Sequence, residues 1–163
     1  MGVYNTIASW YLKKRMYQID LFLKHPIETQ YEVFHTLVKT ASQTLWGKKY
    51  RYEEIDSIDL FRERVPVSTY ETLFPYIEKA LHGRENILWP GVVKWFSKSS
   101  GTTNDKSKFI PVTKESLDDC HFKAGKDMLA IYLDNRPESK LFDGKGLPLG
   151  GSHEISRLNH NSY

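Results

Sequence analysis

Between Val92 and Val112 the chain passes from one strand-like run to another through a stretch built for turning. The order is Val92-Val93-Lys94-Trp95-Phe96, then Ser97-Lys98-Ser99-Ser100-Gly101-Thr102-Thr103-Asn104-Asp105-Lys106-Ser107, then Lys108-Phe109-Ile110-Pro111-Val112. The flanks are β-branched and aromatic and the middle is small and polar, so the pattern predicts a β-hairpin with a loop at its tip. Such a loop can converge several backbone N–H groups on one anion. The hydroxyls of Ser99, Ser100, Thr102 and Thr103 add short donors, and Lys106 and Lys108 add positive charge, a set that suits a triphosphate. The plainer reading is a solvated hairpin connection, because the same residue types are favoured wherever a chain reverses. A Walker A loop is excluded, since it needs a second glycine directly before Lys-Ser or Lys-Thr and here Asp105 precedes Lys106.

The region before this stretch reads as helical. Leu12, Met16, Ile19 and Leu23 recur at helical spacing, and Pro26 closes that helix and can open the next. Ile27, Tyr31, Phe34, Val38, Ala41 and Leu45 continue the period, with Gly47 placed as a C-terminal stop, which predicts a helical hairpin with these residues in its core. A third helix is expected from Ser68, with Ser68 and Glu71 as a capping box, to Gly83, kinked or split at Pro75. After the loop, Thr113 can N-cap a long helix ending by Pro137, with Leu117, His121, Ala124, Met128 and Ile131 as its apolar face. A short strand is expected at Leu147-Pro148-Leu149, and Ser152 to Tyr163 form a polar tail.

Charge and cysteine content narrow the setting. The 163 residues carry a formal net charge of +3, but Lys and Arg alternate with Asp and Glu instead of clustering, which argues against a nucleic-acid partner. The single cysteine, Cys120, excludes an intrachain disulfide and fits a reducing compartment, and no apolar stretch approaches the ~20 residues of a membrane span. A cytoplasmic protein is expected. Gly2 followed by Thr6 matches the loose myristoylation pattern, yet no polybasic second anchor follows it. Asp118, Asp119, Cys120 and His121 are metal-binding types, but adjacent positions on a helix point in different directions, so no metal ligands are assigned. Cys120 lacks the spaced histidine partner of a nucleophile. Glu53, Glu54, Asp56 and Asp59 do not make an acid/base pair by spacing.

Several separate runs share one resemblance. They are Phe61-Arg62-Glu63-Arg64-Val65-Pro66-Val67-Ser68-Thr69-Tyr70-Glu71, Ile87-Leu88-Trp89-Pro90-Gly91, Ser99-Ser100-Gly101-Thr102-Thr103 and Ser107-Lys108-Phe109-Ile110-Pro111-Val112-Thr113. Ser-Ser-Gly-Thr-Thr followed by a lysine resembles the first signature of the adenylate-forming synthetases. With its flanks, from about Tyr50 to Ser152, the chain is similar to the opening part of an acyl-acid amido synthetase of the auxin-responsive Gretchen Hagen family. One departure is that Asn104-Asp105 stands where such members carry a mid-loop glycine; both residues tolerate left-handed backbone.

The resemblance implies an α/β fold: a helical N-terminal region, a β-hairpin carrying a phosphate-binding loop, then a long helix and a short strand. The chain would be an incomplete N-terminal portion of a single adenylate-forming domain, with 1–83 mainly helical, 84–152 bearing the loop and 153–163 as tail. It also implies ATP and Mg²⁺ as cofactors, with a small carboxylic acid and an amine or amino acid as the other substrates. Ser99, Ser100, Gly101, Thr102, Thr103, Lys106 and Lys108 would bind nucleotide, and Lys108 would be catalytic by offsetting charge on the leaving pyrophosphate. Alone, such a fragment is expected not to turn over. Two other readings are a protein-interaction module that uses the many Tyr and Trp residues, and a degenerate nucleotide-binding scaffold without catalysis.

Overall fold

The computed structural model describes residues 2–99 and 107–145, and its helices and strands follow the order that the hairpin pattern sets. Helices α1 (Val3–Lys13), α2 (Met16–Lys24), α3 (Pro26–Ala41), α4 (Leu45–Lys49), α5 (Ile58–Arg64) and α6 (Tyr70–Leu81) precede strands β1 (Trp95–Lys98) and β2 (Phe109–Val112); α7 (Phe122–Asn135) follows. The described residues form a mostly helical α/β architecture with a two-stranded antiparallel sheet. They divide into two units: residues 2–27 with 115–145, and residues 28–99 with 107–114. The two helices expected to pair as a hairpin, ending and beginning at Pro26, thus fall largely in different units.

In the first unit, α7 packs on α1 and α2. Ala130 and Leu133 are its buried side chains, at 0% and 2% exposure. The expected single helix through Leu12 and Leu23 is instead broken after Lys13, where Arg15 turns its guanidinium onto both carboxylate oxygens of Asp127 on α7. Asn5 is fully buried with both polar atoms of its amide hydrogen-bonded: Nδ2 donates to the Ser139 carbonyl at 3.0 Å, and Oδ1 accepts from the Phe142 N–H at 3.1 Å. The Gly2 N–H donates to the Asp143 carboxylate, so α1 holds the segment after α7 at two points.

The expected apolar face of the last helix is corrected. Met128 is 65% exposed and Ile131 42%, and His121 and Ala124 are exposed as well. The cause is a π-helical turn over Ser116–His121, directly before α7. Its wider winding shifts the phase of everything after it, so a 3.6-residue count begun at half-buried Leu117 reaches the outward face of α7. Helical residues do begin directly after Thr113, as its capping chemistry predicts. The expected strand at Leu147-Pro148-Leu149 lies outside the described residues.

In the second unit, α3 buries Val38 and Ala41, while Tyr31 and Leu45 of the expected core are exposed, as is Ile27, the last residue of the first unit's N-terminal segment. Gly47 is not a stop but sits inside α4. Thr44 ends the preceding turn by donating its hydroxyl to the Ala41 carbonyl at 2.7 Å, and it caps α4 by accepting from the Gly47 N–H at 3.0 Å. A Cβ at Gly47 would run into the Ala41 carbonyl and come within 2.8 Å of the Ser42 carbonyl, which is why glycine is needed there. The Leu45 and Trp46 N–H groups donate to the carbonyls of Asn86 and Ile87 at 2.7 and 3.0 Å. The Ile87-Leu88-Trp89-Pro90-Gly91 run is thereby explained in part as a loop that satisfies the start of α4. Gly91 (φ +75°) closes this loop, donating to the Asn86 side chain and accepting from the Asn86 N–H. Trp46 then meets Tyr50 at a tilt and Tyr76 edge-on, with its indole N–H donated to the Tyr52 hydroxyl at 3.1 Å.

Candidate phosphate-binding site

Helix α6 supplies one wall of the site and its sequence fixes both ends. Thr69, not Ser68, is the N-cap: its side chain accepts from the Thr72 N–H at 3.4 Å, while the Ser68 hydroxyl turns back onto the Pro66 carbonyl. At the other end Gly83 (φ +74°) and Arg84 donate to the carbonyls of Ala80 and Lys79, the paired bonds of a Schellman stop. The helix is continuous through Pro75 and is not split there. It packs against β2, which places Tyr70, in its first turn, beside the exit of the signature loop.

The strands pair in the register Trp95↔Val112, Phe96↔Pro111, Ser97↔Ile110 and Lys98↔Phe109, confirming the antiparallel hairpin. One more pair closes the base of the loop. The Ser99 N–H donates to the Lys108 carbonyl at 2.9 Å, and the Lys108 N–H donates to the Ser99 hydroxyl oxygen at 3.1 Å. Since Ser99 and Lys108 are hydrogen-bonded partners, the antiparallel alternation makes Lys98 with Phe109, and Phe96 with Pro111, pairs without ladder bonds. Pro111 therefore costs the sheet no donor. The Phe109 N–H points away from β1, and it donates to the Tyr70 hydroxyl at 2.9 Å.

Of the expected site residues, the structure brings Ser99 and Lys108 together at the mouth of the loop. Ser100, Gly101, Thr102, Thr103 and Lys106 lie outside the described residues. The Lys108 ammonium stands 5.4 Å from the centre of the Tyr70 ring, a cation–π distance. Glu71 is next along the first turn of α6. Its own backbone N–H and then the Thr69 hydroxyl hold its carboxyl below the usual range against some desolvation, and the Lys108 ammonium adds to this. The mouth thus combines an ammonium, a carboxyl whose pKa that ammonium helps to lower, and a serine hydroxyl already engaged as an acceptor. Among these groups Lys108 supplies positive charge and the Glu71 carboxylate opposes it. Tyr70 and Glu71 were not among the expected site residues; a capping motif announces a helix start but not which strand lies against it.

No group of three or more His, Cys, Asp or Glu side chains among the described residues could hold a metal ion. Glu54 instead has a structural role. Desolvation raises its carboxyl pKa, but hydrogen bonds and charge from Arg64 and Arg51 outweigh this and hold it below the usual range. No helix among the described residues is long and apolar enough to cross a membrane.

Comparison with known proteins places these features in one family. The family model described as the GH3 family N-terminal domain matches residues 15–160, including the hairpin and its loop. The chain is similar to indole-3-acetic acid-amido synthetase GH3.2 of Arabidopsis thaliana, 30% identical over 101 residues, which cover 61% of this chain and 18% of that protein. It is similar to "Probable indole-3-acetic acid-amido synthetase GH3.7" of Oryza sativa subsp. japonica, 38% identical over 69 residues, 40% of this chain and 11% of that protein. A third relative, 4-substituted benzoates-glutamate ligase GH3.12 of Arabidopsis thaliana, is 23% identical over 94 residues, 57% of this chain and 16% of that protein. The matched segments span less than a fifth of the length of these relatives.

Proposed function

The chain belongs to the GH3 family through that family's N-terminal domain, and from this premise we propose that it is part of an ATP-dependent acyl-acid amido synthetase acting in the cytoplasm. The observation that carries the reading is the family match itself, which runs without interruption across Ser-Ser-Gly-Thr-Thr and Lys108. The relatives' names give a small aromatic acid, indole-3-acetic acid or a 4-substituted benzoate, and in one case glutamate as the amine. The same classes, a small carboxylic acid and an amine or amino acid, are taken for this protein. We read the chain as the N-terminal portion of a single adenylate-forming domain.

In the proposed reaction a carboxylate oxygen attacks the α-phosphorus of ATP, the bond to the β-phosphate breaks, and pyrophosphate leaves. The amine nitrogen then attacks the acyl carbon and AMP leaves, forming the amide. The first step brings two anions together, so charge neutralisation dominates it. Lys108 would offset charge on the departing pyrophosphate. Ser100, Thr102 and Thr103, with loop N–H groups, would hold the β- and γ-phosphates, and Lys106 would add charge. Ser99 and Gly101 would shape the turn, Ser99 by the two bonds that close it at Lys108. Mg²⁺ would be carried in with the nucleotide and would supply further neutralisation of its phosphate charge. In a complete synthetase carrying this segment, Lys108→Ala or Thr102→Ala should each lower acid-dependent ATP–pyrophosphate exchange by about a hundredfold, a typical loss for one electrostatic donor. Exchange at the wild-type rate in both variants would refute these roles.

A further inference from the structure

Lys108 lies at the edge of a two-stranded sheet, which is itself marginal without packing. Tyr70 touches it in two ways at once. Its hydroxyl accepts the Phe109 N–H at 2.9 Å, the donor that faces away from β1 and that directly follows the Lys108 carbonyl in the chain. Its ring lies under the Lys108 ammonium at 5.4 Å from the centroid. Both contacts originate from the first residue of α6, whose start is fixed by the Thr69 cap. The backbone position and the ammonium of Lys108 are therefore referred to one rigid helix end. We propose that Tyr70 is a positioning residue that sets where the Lys108 ammonium stands at the loop mouth, so that it meets a phosphate group without first being ordered. The proposal rests on the reading of Lys108 as the phosphate-side cation, and it adds a residue from a different element. The charge of the same ammonium helps to hold the carboxyl of Glu71, the next residue of α6, below its ordinary range.

The two contacts can be separated, because Tyr70→Phe keeps the ring and removes only the hydroxyl, whereas Tyr70→Ala removes both. The probe is Mg²⁺ pyrophosphate, titrated calorimetrically into the 163-residue chain, with amide hydrogen exchange at Phe109 as a ligand-free readout and thermal melting as the check on folding. Tyr70→Phe should raise Phe109 exchange about fivefold, the effect of one lost hydrogen bond, and weaken binding about threefold. Tyr70→Ala should weaken binding about tenfold, and Lys108→Ala by at least as much. The double variant should bind no more weakly than Lys108→Ala alone, since a residue that acts through Lys108 has nothing to act on once it is gone. Tyr70 variants that bind as the wild type does, while Lys108→Ala is weakened, would overturn the positioning role and leave the cation's role standing. Additive losses in the double variant would likewise overturn it, by showing that Tyr70 acts on its own. If Lys108→Ala binds normally, or the wild type does not bind at all, the phosphate reading fails and the positioning role falls with it.

Discussion

The corner between α6 and the hairpin and the packing of α7 on α1 and α2 are held by different physics. At the corner, the Thr69 cap, the Gly83 stop and the Ser99 and Lys108 pair are directional hydrogen bonds with a local sequence signal, and the Phe109 N–H on Tyr70 joins them across 39 residues. In the three helices, burial is concentrated at Ala130 and Leu133, while Tyr4, Trp10, Tyr11 and Met128 remain outward. Caps, stops and hairpin pairs are specified by residues near one another in the chain. Apolar burial is specified by whatever partner surface arrives, so periodicity names a stripe without naming the face that will be covered. The candidate site thus stands largely on locally specified caps and turns, with one long-range tie through Tyr70.

The comparison can be broken by substitution, and the largest effect is expected in the helices. Leu133→Ala should cost about 3 kcal/mol, because its fully buried side chain leaves a cavity the neighbours fill only in part. Urea denaturation followed at residues of that unit should show it; a loss below about 1 kcal/mol would mean the packing is not what holds α7. Next comes Thr44→Ala in the second unit. It removes a buried hydroxyl that both caps α4 and satisfies the Ala41 carbonyl, and should cost about 2 kcal/mol. Met128→Ala tests the face that periodicity favoured, and with that side chain outward its stability should lie within about 0.5 kcal/mol of wild type. A cost near that of Leu133→Ala would restore the discarded face.

The smallest effect is a pH dependence at the corner. The Glu71 carboxyl is held below its ordinary value of 4.5, first by its own backbone N–H and then by the Thr69 hydroxyl. A lowered folded-state pKa means its contribution is fully present above that ordinary value and is lost as pH falls through the lower one. Glu71→Gln should therefore lower protection at the α6 start slightly at neutral pH, where the contribution is present, and should lack the further loss that the wild type shows in the acid range. Equal acid profiles in the two proteins, measured by hydrogen exchange at Thr72, would remove Glu71 from the account of the corner.

What the sequence revealed follows the same division. The hairpin could be read because two strand-like runs flank a loop of turn residues, and Gly83 could be read because a left-handed stop favours glycine. Ser68 and Thr69 are both capping types, and the choice between them turned on the Ser68 hydroxyl folding back to Pro66, a contact with no separate signal. The break after Lys13 could not be read, since Arg15 is drawn to Asp127 at a separation of 112 residues. The face of α7 was lost to a single π-helical turn. Tyr70 was quoted for family likeness only, because its role depends on Phe109, 39 residues onward.

The most direct measurement is a residue-resolved NMR titration of the chain with Mg²⁺ pyrophosphate. The central claim is that the anion is held at the hairpin and nowhere else. Amide shifts should be confined to the run from Ser99 to Phe109 and to the first turn of α6 at Tyr70 and Glu71, with α1 and α7 silent, and Lys108→Ala should abolish them. Shifts that miss the hairpin, or that persist unchanged in Lys108→Ala, would contradict the claim.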